Sequence, residues 1–155
     1  MKVYIITKHG SHNYGAMLQA WALMTTLKDQ GVDCRIINYR FAKPSFIPQN
    51  TVLRRIVNAI TACLHYKSTK NCFERFENFM TEEYEMTEEF IRYKDLETSE
   101  DKADIYICGS DQIWNPYSLR KEYFLDFVDD NAIKMSYAAS MGVSDRCKMY
   151  RMRML

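Results

Sequence analysis

The chain has 155 residues, 47% of them apolar, and balances 21 basic against 20 acidic side chains for a formal net charge of +1. This is the size of one ordinary domain with enough apolar material for a buried core, which excludes disorder by composition. The charge balance gives no support to a nucleic-acid binder held by bulk charge. No apolar run approaches the roughly 20 residues that cross a bilayer. The apolar stretch Val3 to Ile6 after Lys2 is too short for a secretion signal, so a cytoplasmic protein is expected. Cys34, Cys63, Cys72, Cys108 and Cys147 are odd in number, and none are spaced as C-x-x-C. Buried, reduced thiols are expected rather than a disulfide framework or a zinc site.

In chain order, Lys2 to Thr7 reads KVYIIT, a β-branched run predicting a buried strand. Gly15 to Asp29 follows as a helix whose stripe is Met17, Ala20, Trp21, Met24 and Leu27, widened by Ala16 and Leu23. Gly31 stands where a helix closes. Cys34 to Tyr39, CRIINY, predicts a second strand, and strand, helix and strand in this order make a right-handed βαβ unit with parallel strands. Pro44 and Pro48 make Phe41 to Asn50 a loop. Val52, Leu53, Ile56, Val57, Ile60, Cys63 and Leu64 repeat at helical spacing, and a further helix carries Phe73, Phe76, Phe79 and Met80. Glu82 to Lys102 is charged, and is expected to mix a solvated connection with a short helix. Ile105 to Cys108 predicts another buried strand, ended by Gly109. YFLDFV, Tyr123 to Val128, and IKMSYAAS, Ile133 to Ser140, predict two more. The expected fold is α/β, a Rossmann-like parallel-type sheet flanked by helices. There is no internal repeat and no low-complexity tract.

Two polar loops stand at the carboxyl ends of predicted strands: Lys8 to Tyr14, and Gly109 to Asn115. Open α/β sheets bind ligands there, where a following helix offers unpaired N–H groups. The greasy helix behind the first loop would anchor it, and both loops would face one crevice. HGSHNYG is neither a Walker A loop nor a G-x-G-x-x-G fingerprint. Plainer readings stand beside the functional ones. Asn13 fits a helix N-cap, His9 and His12 fit a surface, Gln19 fits an exposed helix position, Trp114 fits the core, and Asp111 fits a turn.

NYGAMLQAWAL (Asn13 to Leu23), GSDQIWNP (Gly109 to Pro116), and YFLDFV with KMSYAASMG (Tyr123 to Val128, Lys134 to Gly142) resemble, in order and spacing, three motif blocks of the polysaccharide pyruvyl transferases. The resemblance runs over residues 1–143 as the N-terminal Rossmann-like half. Residues 144–155 match nothing in it, and a truncation or a disrupted reading frame is expected. The resemblance implies two Rossmann-like halves facing across a cleft, similar to the GT-B transferases. It also implies transfer of the carboxyvinyl unit of phosphoenolpyruvate onto a sugar to form a pyruvate ketal. The donor is held mainly by the C-terminal half, so this chain is expected to be inactive alone and to need that half as a partner. The acceptor is a sugar or glycan, with peripheral contact where it is lipid-linked.

Ketal formation requires protonation of the enol carbon, activation of a sugar hydroxyl, and a pocket for the leaving phosphate. With the resemblance in place, Asp111 is the candidate hydroxyl base. His12 is the candidate acid or phosphate contact, because histidine titrates near neutrality. Asn13, Gln19, Gln112 and Asn115 suit sugar hydroxyls, Trp114 suits stacking on a sugar face, and the helix start at Gly15 suits an anion. Tyr14, Gly109 and Ser110 complete the substrate-binding set from the same motifs. No metal-ligand constellation is present in the sequence, and no cofactor is expected beyond phosphoenolpyruvate as donor substrate. The alternatives are one half of a GT-B-like glycosyltransferase, or a non-catalytic fragment binding a sugar or a protein.

Overall fold

A computed structural model of the chain describes residues 1–10, 13–39 and 70–143. The Phe41 to Asn50 loop, the helix expected from Val52 to Leu64, His12 and the tail from Ser144 lie outside the described residues. The chain divides into two units, residues 1–40 with 84–155, and residues 41–83. The described part of the smaller unit is a helix over 70–83, here α2, with Phe76 buried and Phe73 exposed.

The larger unit is built on five parallel strands: β1 (Lys2–Ile6), β2 (Asp33–Tyr39), β3 (Met86–Phe90), β4 (Ile105–Asp111) and β5 (Ile133–Ala139). Their order across the sheet is β3-β2-β1-β4-β5. Val3 to Ile6 are at most 2% exposed. A strand buried on both faces is the mark of a parallel sheet covered on each side, and explains the unbroken apolar run in the sequence. The helix α1 (Tyr14–Asp29) joins β1 to β2 and lays Ala16, Met17, Ala20 and Met24 inward. Trp21, Leu23 and Leu27 of the expected stripe are half-buried. Gly31, at φ +78°, closes the helix by donating to the Lys28 carbonyl at 2.8 Å.

In-register neighbours share a face. Val3, Ile105 and Ile133 lie on the side of Ile5, Ile107 and Met135; Tyr4, Tyr106 and Lys134 lie on the other. On that second side Tyr106 meets Tyr4 and Phe127 edge-on, at 5.8 and 6.0 Å between ring centres. On the first side Gln19, Leu23 and Leu27 of α1, with Ile107, Met135 and Tyr137, line an open apolar groove of about 490 Å³. Cys34 and Cys108 are buried free thiols, and Cys72 is a half-buried one. No helix among the described residues is long and apolar enough to cross a membrane.

Three expectations are corrected. Tyr123 to Val128 is not a strand: a 3₁₀ turn (Lys121–Phe124) leads into Leu125 at φ +60°. The alternation that suggested a strand is real, with Tyr123, Leu125 and Phe127 buried and Phe124 and Asp126 exposed. Both edges of β4 are already taken by β1 and β5, so the segment packs its apolar side chains without a ladder. Within Glu82 to Lys102 lies the unforeseen strand β3, followed by the expected short helix α3 (Tyr93–Thr98). As an edge strand β3 buries only Thr87 and Phe90 and leaves Glu88 and Glu89 exposed, which is why it read as surface. β4 also does not stop at Gly109 but runs on to Asp111.

Candidate functional site

From β1 the sheet is built outward through β2 and β3 in one direction, and from β4 through β5 in the other. The connections leaving β1 and β4 therefore diverge, and a crevice opens at the carboxyl ends of these two strands. Thr7 to Gly10 reach it from β1, and Gly109 to Asn115 from β4. The two polar loops of the sequence thus meet at one edge.

The loop after β1 ends at Asn13, whose extended backbone (φ −133°, ψ 117°) and side-chain oxygen cap α1 by accepting from the Ala16 N–H at 3.1 Å. Tyr14 and Gly15 open the helix at an exposed position. A Cβ on Gly15 would stand 3.2 Å from that capping oxygen. Thr7, which ends the apolar run, is fully buried. Its hydroxyl donates to the Ser110 carbonyl at 3.1 Å and accepts from Gln19 Nε2 at 2.9 Å. Gln19 Nε2 also donates to the Ala16 carbonyl at 2.8 Å. Gln19 Oε1 accepts from the Ser110 N–H at 3.1 Å and from its hydroxyl at 2.5 Å. Helix, β1 and β4 are joined there by one side chain.

Gly109 is required where it stands. It has φ +118°, and a Cβ on it would lie 2.1 Å from the Tyr137 carbonyl oxygen of β5. The Gly109–Ser110 peptide is cis. Beyond it, three successive carbonyls are held by three different groups. Ser110 O accepts from Thr7, Asp111 O from the Ser140 N–H at 3.0 Å, and Gln112 O from Lys8 Nζ at 3.2 Å. Asp111 sits within this frame at φ +85°, a conformation that costs a non-glycine residue roughly 1–3 kcal/mol and persists only where the surroundings impose it. Its carboxylate is partly exposed and takes no hydrogen bond from a described residue. Asn115 Nδ2 donates to Gln112 Oε1 at 3.3 Å, and the Trp114 indole N–H to the Tyr123 carbonyl at 3.4 Å.

The structure therefore brings Asn13, Tyr14, Gly15, Gln19 and the segment from Gly109 to Asn115 to one end of the sheet, while His12 lies outside the described residues. It adds residues that the sequence reading did not single out: Thr7, Lys8 and Ser140. A polar threonine and a lysine closing a buried apolar strand were the available signal. His9 is also here, 4% exposed, with Nδ1 donating to the Thr7 carbonyl at 3.2 Å. Burial pushes its pKa below the usual histidine range, against the opposing pull of its bonds to Thr7 and Asn38. Among the described residues no three His, Cys, Asp or Glu side chains gather as a metal site.

A parallel sheet in this strand order, with polar loops converging at the switch point, defines a Rossmann-like domain. The family model for polysaccharide pyruvyl transferase matches residues 13–153, and the chain belongs to that family. No curated protein and no solved structure matches the chain significantly.

Proposed function

We propose that this chain supplies the acceptor-side half of an enzyme that moves the carboxyvinyl unit of phosphoenolpyruvate onto sugar hydroxyls and closes a pyruvate ketal on a cell-surface or exported glycan. Family membership supports the reaction class. The observation that carries the reading is Asp111: a partly exposed carboxylate that takes no hydrogen bond from a described residue, held in a costly backbone conformation beside the switch-point crevice.

In this reading Asp111 takes the proton from the first attacking hydroxyl, while an acid, His12 by its place in the first loop, protonates the methylene carbon of the donor. The new C–O bond forms at the donor's central carbon. Phosphate then leaves, and the second hydroxyl adds at the same carbon and gives up its proton. Of the two hydroxyl protons released, one balances the new methyl group and the other leaves with phosphate. Gln112, Trp114, Asn115 and the Asn13 to Gly15 helix start would contact the acceptor, and Lys8 would add a positive charge at the crevice for the donor's anionic groups.

The test combines the purified chain with a separately expressed second Rossmann-like half, phosphoenolpyruvate and a panel of bacterial glycans, and follows phosphate release and the ketal methyl resonance. Asp111→Asn is expected to slow turnover by about 10²–10⁴-fold, the usual worth of a positioned acid or base. The chain without the second half is expected to turn over poorly, because the reacting groups must converge from both walls. Full activity in a folded Asp111→Asn variant would remove the base from this residue.

A further inference from the structure

We infer that Gln19 is a positioning residue for Asp111, acting through Ser110 and Thr7, an inference that rests on the reading of Asp111 as the hydroxyl base. A carboxamide has two N–H donors and one oxygen with two lone pairs. In Gln19 all four are used inside the protein: the donors by Thr7 Oγ1 and the Ala16 carbonyl, the oxygen by the Ser110 N–H and hydroxyl. Its hydrogen-bonding capacity is spent on the scaffold, which separates it from Gln112 at the exposed side of the crevice.

The geometry explains why a carboxamide is needed. Gln19 must donate towards β1 and accept from β4 at once. Thr7 relays the donated bond, since its hydroxyl accepts from Gln19 and donates to the Ser110 carbonyl. The two peptide groups flanking the Ser110 α-carbon are thereby held from one side chain, the N–H directly and the carbonyl through Thr7. The second of these peptides leads into Asp111, whose own carbonyl is held by the Ser140 N–H. Both peptide planes around the Asp111 α-carbon are thus fixed, and its unusual backbone angle with them. Glutamate at position 19 would keep the accepting half of the clamp and lose the donating half. Leucine would lose both. Valine at position 7 would cut the relay alone.

The experiment uses the isotopically labelled chain and needs no turnover. It reads amide hydrogen exchange at Ser110, with Ile5 and Ile107 as controls, and the carboxyl-carbon titration of Asp111 by NMR. Gln19→Leu is expected to speed Ser110 exchange by about tenfold or more, as local opening does when a buried amide loses its acceptor. The controls stay unchanged, and the Asp111 titration midpoint moves. Gln19→Glu is expected to retain Ser110 protection while its Asp111 midpoint departs from wild type, and Thr7→Val to move Asp111 with Ser110 still protected. Wild-type Ser110 exchange and Asp111 titration in folded Gln19→Leu would overturn the inference. So would an unchanged Asp111 accompanied by uniform loss of protection across β1 and β4, which would make Gln19 only a fold support. If Gln19→Leu fails to fold, Gln19→Glu and Thr7→Val decide on the same readouts. Should Asp111→Asn remain active while these variants behave as expected, the base assignment falls and the clamp stands.

Discussion

Among single residues, buried His9 makes the stability of the fold depend on pH. An unfolded histidine titrates near 6.5, whereas burial holds the folded His9 pKa lower. Between the two values the unfolded chain binds a proton that the folded chain does not, so stability rises with pH through that window. The contribution is fully present above about pH 6.5 and is lost as pH falls towards the lowered folded value. Denaturant titrations at a series of pH values are expected to show wild type losing more stability below pH 6.5 than His9→Gln. Equal slopes would mean that His9 charges freely in the fold. Asp101, held low by hydrogen bonds from the Lys2 ammonium and then the Tyr4 hydroxyl, and Asp95, held low by the Arg92 guanidinium, act in a separate window. Their contributions are present above the ordinary aspartate range and fade only as pH falls through their depressed values.

The element scale is where β4 and β5 meet. Gly109 lets the β4 backbone come against the Tyr137 carbonyl, and no side chain fits there. Gly109→Ala combines a forbidden contact with a positive φ, and is expected to destabilise the chain by about 2 kcal/mol or more, lowering the melting temperature by roughly 5 °C. A melt within a degree of wild type would show that the two strands separate at no cost. Much of this architecture was legible beforehand. The central strands announced themselves because burial on both faces demands continuous apolar runs, as in Val3 to Ile6 and Ile105 to Cys108. The α1 stripe and the Gly31 stop were equally plain. What escaped was set by tertiary context. β3 shows one residue pair to the core and two glutamates to water. Tyr123 to Val128 has strand periodicity, but β4, the strand before it, already has β1 and β5 on its two edges. The site divided in the same way. Motif order located both loops, and Asn13 proved to carry the cap that its residue type allowed. The inward engagement of Gln19 depends on Thr7 and Ser110, positions 12 and 91 residues away, which no local pattern relates.

For the whole molecule, β5 is the exposed margin. Ile133, Met135 and Tyr137 point to one face and are 58%, 48% and 56% exposed, and among the described residues β5 pairs on one side only. An open, partly apolar sheet edge beside an apolar groove is an association hazard. Sedimentation velocity over a concentration series is expected to show reversible self-association. Met135→Lys and Tyr137→Lys should shift it towards monomer without lowering the melting temperature, since neither side chain is buried. Association unchanged in both variants would place the contact elsewhere.

The sheet order also has a consequence during synthesis. β1 emerges first yet occupies the middle of the sheet, with Val3 registered against Ile105. At about 5–20 residues per second, its β4 neighbour leaves the ribosome roughly 5–20 seconds after it. Until then β1, α1 and β2 stand as a nascent βαβ unit with one apolar strand edge open to solvent or to a chaperone. The Thr7–Ser110 and Lys8–Gln112 bonds that shape the crevice therefore cannot form until the chain has been made past Gln112.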